Sequence, residues 1–332
     1  MEETLRLLRE AMAAHRLAMR GAGRPKAKAG PAVVPDDARD GVVRMLSHDI
    51  ERVCGIEISG IMEAKLGRVL GSVALPALEG WVARLQHLPD DDPEWLSLIE
   101  SLTVHETFFH RDQSQLDLLR RQLLPEAIAA AARDGRYRLR LWSAGCATGE
   151  EAYTLAILSL LALRDAGWAR ETADAGLVCE APWQVDVLGS DISRVVLRRA
   201  EAAVYPAQEL GAFRQLPIEL DRFFRALPAH PDAPGVALRG VHAGVRRHVR
   251  FGPCNLVAET PPERDFDIVL CRNVLIYLTV AARAKALSVL RQALRPGGFL
   301  MLGPTDALTD RESYATRWAD GAIAYQLRRN DG

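Results

Sequence analysis

The chain reads as an all-helical segment followed by an α/β domain with a mostly parallel sheet. Three observations predict this. From Tyr137 onward, short apolar runs alternate with helical stretches, the pattern of parallel strands covered by helices. Before that point, residues 38–133 show only helical spacing. The third is the stretch Leu139–Glu151, where an apolar strand ends in a turn containing Gly145 and Gly149 and runs straight into a helix. Open α/β sheets build their ligand pockets just beyond such strand ends.

Residues 1–20 place Leu5, Leu8, Met12, His15 and Met19 on one helical face, and Gly21–Pro31 is a basic, Gly/Pro-rich linker. Residues 1–37 therefore read as an appendage, either a frayed extension or a docking helix for a partner. Residues 38–105 read as a helical domain with helices over 38–54, 59–70, 74–86 and 93–103, separated by Gly55, Gly71 and the run Pro89–Pro93. A further helix over 112–133 carries Leu116, Leu119, Leu123 and Leu124 on one side.

The alternating region fills out a domain over 106–332. Strand 137–143 leads to helix 149–165. Strand 184–189 leads through Ser190 and Asp191 to helix 193–202, after a loop over 164–182. Strand 266–271 leads through Arg272 and Asn273 to helix 280–294. Pro296-Gly297-Gly298 is expected to stop that helix, with strands over 299–302 and 322–327 to follow. Residues 221–251 break the alternation with Pro228, Pro231, Pro234, Gly235, Gly240 and Gly244. Between these lie short β-prone pieces such as Val241–His242 and His248–Phe251, so a small antiparallel insertion is expected there.

Composition narrows the function classes. With 332 residues and 48% hydrophobic content, a sizeable core forms. A formal net charge of −1 lacks the basic balance of a general nucleic-acid binder. The five cysteines are scattered without a C-x-x-C pair, which argues against a disulfide framework or zinc site and suits a reducing cytosol. No apolar run approaches the roughly 20 residues of a membrane span. Met1-Glu2-Glu3 is not a basic region followed by an apolar run, so no secretory leader is expected. The expected location is cytoplasmic.

The strand ends carry the chemistry. The turn after the first strand lacks the Gly-Lys-Ser/Thr of a triphosphate loop and the G-x-G-x-x-G of a dinucleotide site. Two acids, Glu150 and Glu151, open the following helix, where they would compete with a pyrophosphate. A cationic cofactor without phosphate fits better, and S-adenosylmethionine is the common one. Asp191, at the end of the next strand, suits a ribose diol. It follows Gly149 by 42 residues, against roughly 20 in dinucleotide folds. Asn255-Leu256 suits an adenine edge and face, and Asn273-Val274 closes the row. Singly, Glu150 also reads as a complement to the helix dipole and Asp191 as a helix cap. The cluster Thr103–Asp112 contains Phe108, Phe109, Thr107 and Arg111. It reads either as a domain hinge or as an arginine brought near the methyl donor or a substrate carboxylate.

Taken in order, these motifs resemble the CheR family of chemotaxis receptor methyltransferases. The resemblance rests on His-Glu-Thr-Phe-Phe-His-Arg-Asp at 105–112, Trp-Ser-Ala-Gly-Cys-Ala-Thr-Gly-Glu-Glu at 142–151 and Ser-Asp-Ile-Ser at 190–193. Leu-Arg-Arg-Ala with Tyr at 197–205, Asn-Leu at 255–256, Cys-Arg-Asn-Val-Leu-Ile-Tyr at 271–277 and Pro-Gly-Gly at 296–298 complete it. It implies a class I, Rossmann-like methyltransferase with a mostly parallel seven-stranded sheet, a small inserted β-subdomain and a helical N-terminal domain. It implies S-adenosylmethionine contacts from His105, Thr107, Arg111, Glu150, Asp191, Asn255, Leu256, Asn273 and Val274, with Arg111 as the catalytic group and no metal. The implied reaction is methyl esterification of glutamates on chemoreceptor cytoplasmic helices by a monomer.

The chain departs from the family pattern at several positions. His105 stands where asparagine is usual, and His110 where an aromatic is. Glu151-Ala152-Tyr153 replaces Glu-Pro-Tyr, and Gly303-Pro-Thr-Asp306 replaces Gly-His-Ser-Glu. Family members often meet the receptor through a basic helical face, for which Arg52, Lys65, Arg68 and Arg84 are the candidates; they read equally as a solvated helix face. The Pro-rich stretch 226–236 speaks against capture of a receptor tether. A methyltransferase for another substrate, a non-catalytic cofactor-binding sensor and a structural adaptor remain the competing readings.

Overall fold

A computed structural model describes residues 37–329 apart from 72, 104, 173–175, 209, 229–234 and 259. The helix and linker expected over residues 1–31 lie outside the described residues. The chain divides into two compact units. One holds the residues up to Val104 together with Tyr277–Ala282; the other holds His105–Ile276 and Arg283–Gly332.

The helical unit contains α1 (Asp37–Cys54), α2 (Ile61–Leu70), α3 (Leu75–Leu85) and α4 (Pro93–Leu102). Leu46, Ile50, Leu66, Leu70, Leu78, Leu85, Trp95 and Leu98 form its buried faces. Asp92 caps α4 by accepting the Glu94 N–H, and Pro93 occupies the first helical position, where no N–H is needed. Tyr277–Ala282 joins this unit through backbone bonds: Glu57 N–H donates to Tyr277 O at 2.8 Å and Thr279 N–H to Gly55 O at 2.9 Å. The candidates for a basic face differ in their surroundings. Lys65 is buried, donates to Leu102 O at 3.0 Å, and is held below its ordinary pKa by that burial. Arg52 pairs with Asp90 and Arg84 with Glu94, each arginine partly exposed, and Arg68 is bound to its own helix at Ala64 O.

The second unit begins with α5 (Gln113–Leu118) and α6 (Leu124–Arg133), joined by a π-helical turn over Leu119–Leu123. The helix expected over 112–133 is thus continuous but widened where Pro125 supplies no N–H; Leu124 N–H reaches back to Leu119 O. Then follow β1 (Arg138–Ala144), α7 (Glu150–Asp165), β2 (Ala169–Thr172), β3 (Gly176–Cys179), β4 (Gln184–Asp191) and α8 (Arg194–Ala202). Next come β5 (Val204–Pro206), β6 (Phe224–Leu227), β7 (Leu238–Val241), α9 (Ala243–Arg246), β8 (Val249–Pro253) and β9 (Phe266–Cys271). The chain closes with α10 (Val280–Ala293), β10 (Leu294–Leu302), β11 (Tyr314–Ala319) and β12 (Ala322–Leu327).

The main sheet has seven strands in the order β11-β12-β10-β9-β1-β4-β8. Strands β10, β9, β1, β4 and β8 are parallel, and β12 is antiparallel to both of its neighbours. The strand order reverses between β1 and β9, the switch point at which open α/β sheets open a crevice. Leu139, Leu141, Val187, Ile268 and Leu270 belong to one buried core with α7, which is buried along most of its length.

Four expectations need correction. The piece His248–Phe251 is not part of the insertion; it contributes β8, the edge of the main sheet. The insertion is instead a three-stranded antiparallel sheet, β5-β7-β6, that recruits Val204–Pro206 from outside the expected range. The loop over 164–182 contains the hairpin β2–β3. Pro296-Gly297-Gly298 does not stop a helix: α10 ends at Ala293, and the Pro-Gly-Gly run is a bulge inside β10, where the register to β9 shifts between Leu294 and Phe299. A Cβ on Gly298 would lie 3.0 Å from Phe266 O, so glycine lets the two strands close over the bulge.

Candidate cofactor and methyl-transfer site

Four strand-end loops of the α/β unit are tied together at the switch point. The β1 loop turns through Gly145 (φ 79°), Ala147 (φ 46°) and Gly149 (φ 92°). A Cβ on Gly145 would stand 2.4 Å from Val274 Cγ2, so only glycine lets the β9 loop lie against the β1 loop. Gly145 and Cys146 N–H both donate to Ser190 O at 2.8 Å, tying the β1 loop to the end of β4.

Asp191 fastens the same junction from the side chain. Its Oδ2 accepts from Ala147 N–H and its Oδ1 from Ser193 N–H, both at 2.9 Å. Ser193, not Asp191, caps α8 by accepting Val196 N–H. Each carboxylate oxygen keeps a second acceptor site. Asp191 O also accepts Cys254 N–H at 3.1 Å, which brings in the loop of Asn255 and Leu256. Asn255 Oδ1 accepts Val257 N–H, and Leu256 is buried.

Glu150, at the first turn of α7, is 3% exposed. Thr148 Oγ1 donates to its Oε2 at 2.7 Å, and no described residue forms an ion pair with it. Burial pushes its pKa up to about 7, with the Thr148 hydrogen bond and the Arg214 charge acting the other way. A buried carboxylate with no counter-ion is the donor set that a cationic ligand satisfies. The residues present therefore fit S-adenosylmethionine.

The segment His105–Asp112 is anchored on both flanks. Phe109 N–H donates to Ala212 O, and its ring packs edge-on against Tyr205 and Phe224 and stacks on Phe213. His110 (φ 61°) and Asp112 (φ 58°) hold left-handed conformations on either side of Arg111. Burial lowers the His110 pKa. Arg111 donates to Glu106 O at 2.8 Å. His105 and Thr107 lie partly exposed on this same segment.

Three residues have roles that the sequence reading did not assign. Arg272 has a side chain only 2% exposed; it pairs with Glu151 Oε2 at 2.9 Å and donates to Arg111 O at 2.8 Å, joining the β9 end to both α7 and the Arg111 segment. The Cys-Arg-Asn motif was its only signal. Tyr205 donates to Thr148 O at 2.8 Å, linking the insertion to the β1 loop. Asp306 accepts Gly303 N–H at 3.1 Å and a backbone bond from Asn273 (φ 59°), so the Gly303–Asp306 loop braces the Asn273 turn.

Comparison with known proteins gives the lineage. A Pseudomonas aeruginosa protein named Chemotaxis protein methyltransferase 1 is 28% identical over 265 residues, covering 79% of this chain and 88% of its own. The Pseudomonas putida protein named Chemotaxis protein methyltransferase Cher2 is 26% identical over 285 residues, covering 84% and 95%. A Chemotaxis protein methyltransferase of Vibrio parahaemolyticus is 33% identical over 234 residues, covering 70% and 76%. The family model "CheR methyltransferase, SAM binding domain" matches residues 105–320, more than half of the chain. With the seven-stranded sheet and the braced strand ends beside it, that match makes this chain a member of the CheR methyltransferase family, an S-adenosylmethionine-dependent methyltransferase.

Proposed function

We propose that this protein methylates glutamate side chains on the cytoplasmic helices of chemoreceptors, acting as a cytoplasmic monomer, to form glutamate methyl esters. The observation that carries the reading is the buried, unpaired Glu150 among strand ends whose motifs follow the family order. The relatives named as chemotaxis protein methyltransferases support the receptor as substrate.

In this reading Glu150 meets the cationic end of S-adenosylmethionine. Asp191 uses its remaining acceptor sites for the ribose hydroxyls. Asn255 and Leu256 take the adenine edge and face, and Asn273, Val274, His105 and Thr107 complete the walls. Arg111 lies nearest the reaction. When bound, the cofactor supplies an electrophilic methyl group, which a carboxylate oxygen takes in line as the carbon–sulfur bond breaks and its electron pair stays on sulfur. A glutamate with a pKa near 4.3 is already ionised at neutral pH, so no residue is needed as general base. The protein's contribution is placement of the two reactants and exclusion of water.

The test is transfer of labelled methyl from S-adenosylmethionine to a receptor cytoplasmic fragment, scored as methanol released by mild alkali. Asp191→Asn is a milder control than Asp191→Ala, because asparagine keeps one of the two acceptors that hold Ala147 and Ser193 N–H, whereas alanine removes both. Alkali-labile label that falls sharply in Asp191→Asn is the expected result. Alkali-stable label would move the reaction to another substrate class, and cofactor binding without transfer would make the protein a sensor.

A further inference from the structure

Two guanidiniums flank the ring of Phe108. Cζ of Arg214 lies 3.8 Å from the ring centroid and Cζ of Arg111 5.7 Å from it. One residue holds both. Arg111 Nη1 donates to Glu106 O, while Arg214 Nη2 pairs with Glu106 Oε1 at 2.7 Å. Arg214 Nη1 also donates to Leu210 O at 3.1 Å. A guanidinium set over an aromatic ring keeps its in-plane donors free for a carboxylate. Arg214 thus shares the Phe108 ring with Arg111, the residue placed above nearest the reaction.

The carboxylate that Arg214 now holds is exposed. The Glu106 side chain is 68% exposed and that of Arg214 24%. Ion pairs in such surroundings stabilise little and exchange partners readily. Glu106 is itself a glutamate, the residue type assigned above as the substrate.

We propose that Arg214 receives the substrate glutamate's carboxylate, and that Glu106 occupies that place until the substrate arrives. The inference rests on the carboxyl-methylation reading. One carboxylate oxygen held by Arg214 leaves the other free to take the methyl group. The product ester is neutral, so the ion pair is lost on reaction, the product leaves and Glu106 returns. A glutamine side chain carries no charge and gains no such pairing. Because the pair is strongest before the carboxylate loses its charge, Arg214 contributes to substrate binding and little to the barrier.

Steady-state kinetics of the full-length protein on a receptor cytoplasmic fragment, at saturating S-adenosylmethionine, tests this. Arg214→Gln is expected to raise KM for the fragment roughly tenfold, the scale of one charge-assisted hydrogen bond. Arg214→Lys should recover part of that loss, and cofactor affinity by calorimetry should stay close to wild type. Glu106→Gln should lower KM, because it weakens the internal competitor. The opposite signs decide the matter, since a merely structural Arg214–Glu106 pair would make both variants worse. An unchanged KM in Arg214→Gln, or a raised KM in Glu106→Gln, overturns the proposal while wild-type ester formation keeps the underlying reading intact. Absence of alkali-labile ester from the wild type removes both.

Discussion

Burial moves the Glu150 carboxyl from an ordinary value of 4.5 up to about 7, and that displacement opposes stability to binding. The shift favours the protonated acid in the folded chain. Its stabilising effect is complete below pH 4.5 and is lost as pH rises through 7, so above that point ionised Glu150 costs the ligand-free protein roughly 3 kcal/mol. A cationic ligand reverses the preference, and binding should expel a proton. Cofactor affinity should therefore rise between pH 6 and pH 8, and calorimetry in buffers of different ionisation enthalpy should show proton release near pH 7. Glu150→Gln should raise the denaturation midpoint of the ligand-free protein at pH 8 while weakening binding at least about tenfold. A variant that binds normally and gains nothing in stability would remove Glu150 from the cofactor's charge. Arg272 is the other residue on which the site depends. It holds the Arg111 carbonyl between two left-handed residues and neutralises Glu151. Arg272→Ala leaves that carboxylate with the Ser143 hydroxyl but without its ion pair, so urea unfolding should show a loss of about 3 kcal/mol.

At the scale of elements, the approach of the β1 and β9 loops depends on Gly145. Its positive φ and its contact with Val274 leave no room for a methyl group. Gly145→Ala should cost about 1–3 kcal/mol in unfolding and lower cofactor affinity by separating the two loops. An alanine variant with wild-type affinity would show that the loops need not touch. This contact was half legible. The strand-turn-helix pattern exposed the β1 loop, and the Cys-Arg-Asn-Val motif placed Val274 at a strand end, but nothing in the sequence says that they meet. β9 was legible because it is buried throughout, and β1 and β4 because Leu139 and Leu141, and Val185 and Val187, alternate with polar residues before fully buried ends. Edge strands lack that signature. β8, Val-Arg-Phe-Gly-Pro, is nowhere fully buried and reads as part of the Pro/Gly-rich insertion, while β11 alternates too weakly to stand out. Pro296-Gly-Gly298 misled for a different reason. The same residues that end a helix also build a strand bulge, and only pairing with β9 decides between them. Arg214 and Asp306 act through partners more than 20 residues away, such as Glu106 and Asn273, a distance that no local pattern encodes.

At the scale of the whole chain, the family match and the second compact unit both begin at His105, which marks an obvious place to cut. The fold argues that the cut is not clean. Tyr277–Ala282 leaves the α/β unit to complete the helical one, pairing Ile56 with Leu278 in an isolated antiparallel bridge and exchanging backbone bonds with Gly55 and Glu57. Ile56 and Leu278 are both buried. A chain starting at His105 would retain Leu278 without its cover, at a cost of about 1.5–3 kcal/mol for an exposed leucine. It would also leave the groups at Tyr277 O and Thr279 N–H to solvent, directly after the Asn273-Val274 turn. The fragment 105–332 should therefore unfold at lower urea than the intact protein and bind S-adenosylmethionine more weakly, even though all nine proposed cofactor residues are present in it. Leu278→Ser in the fragment should improve its solubility, whereas in the full chain it should destabilise. Equal midpoints and equal affinity for the fragment and the full chain would show that the return segment is carried by the helical unit without supporting the site.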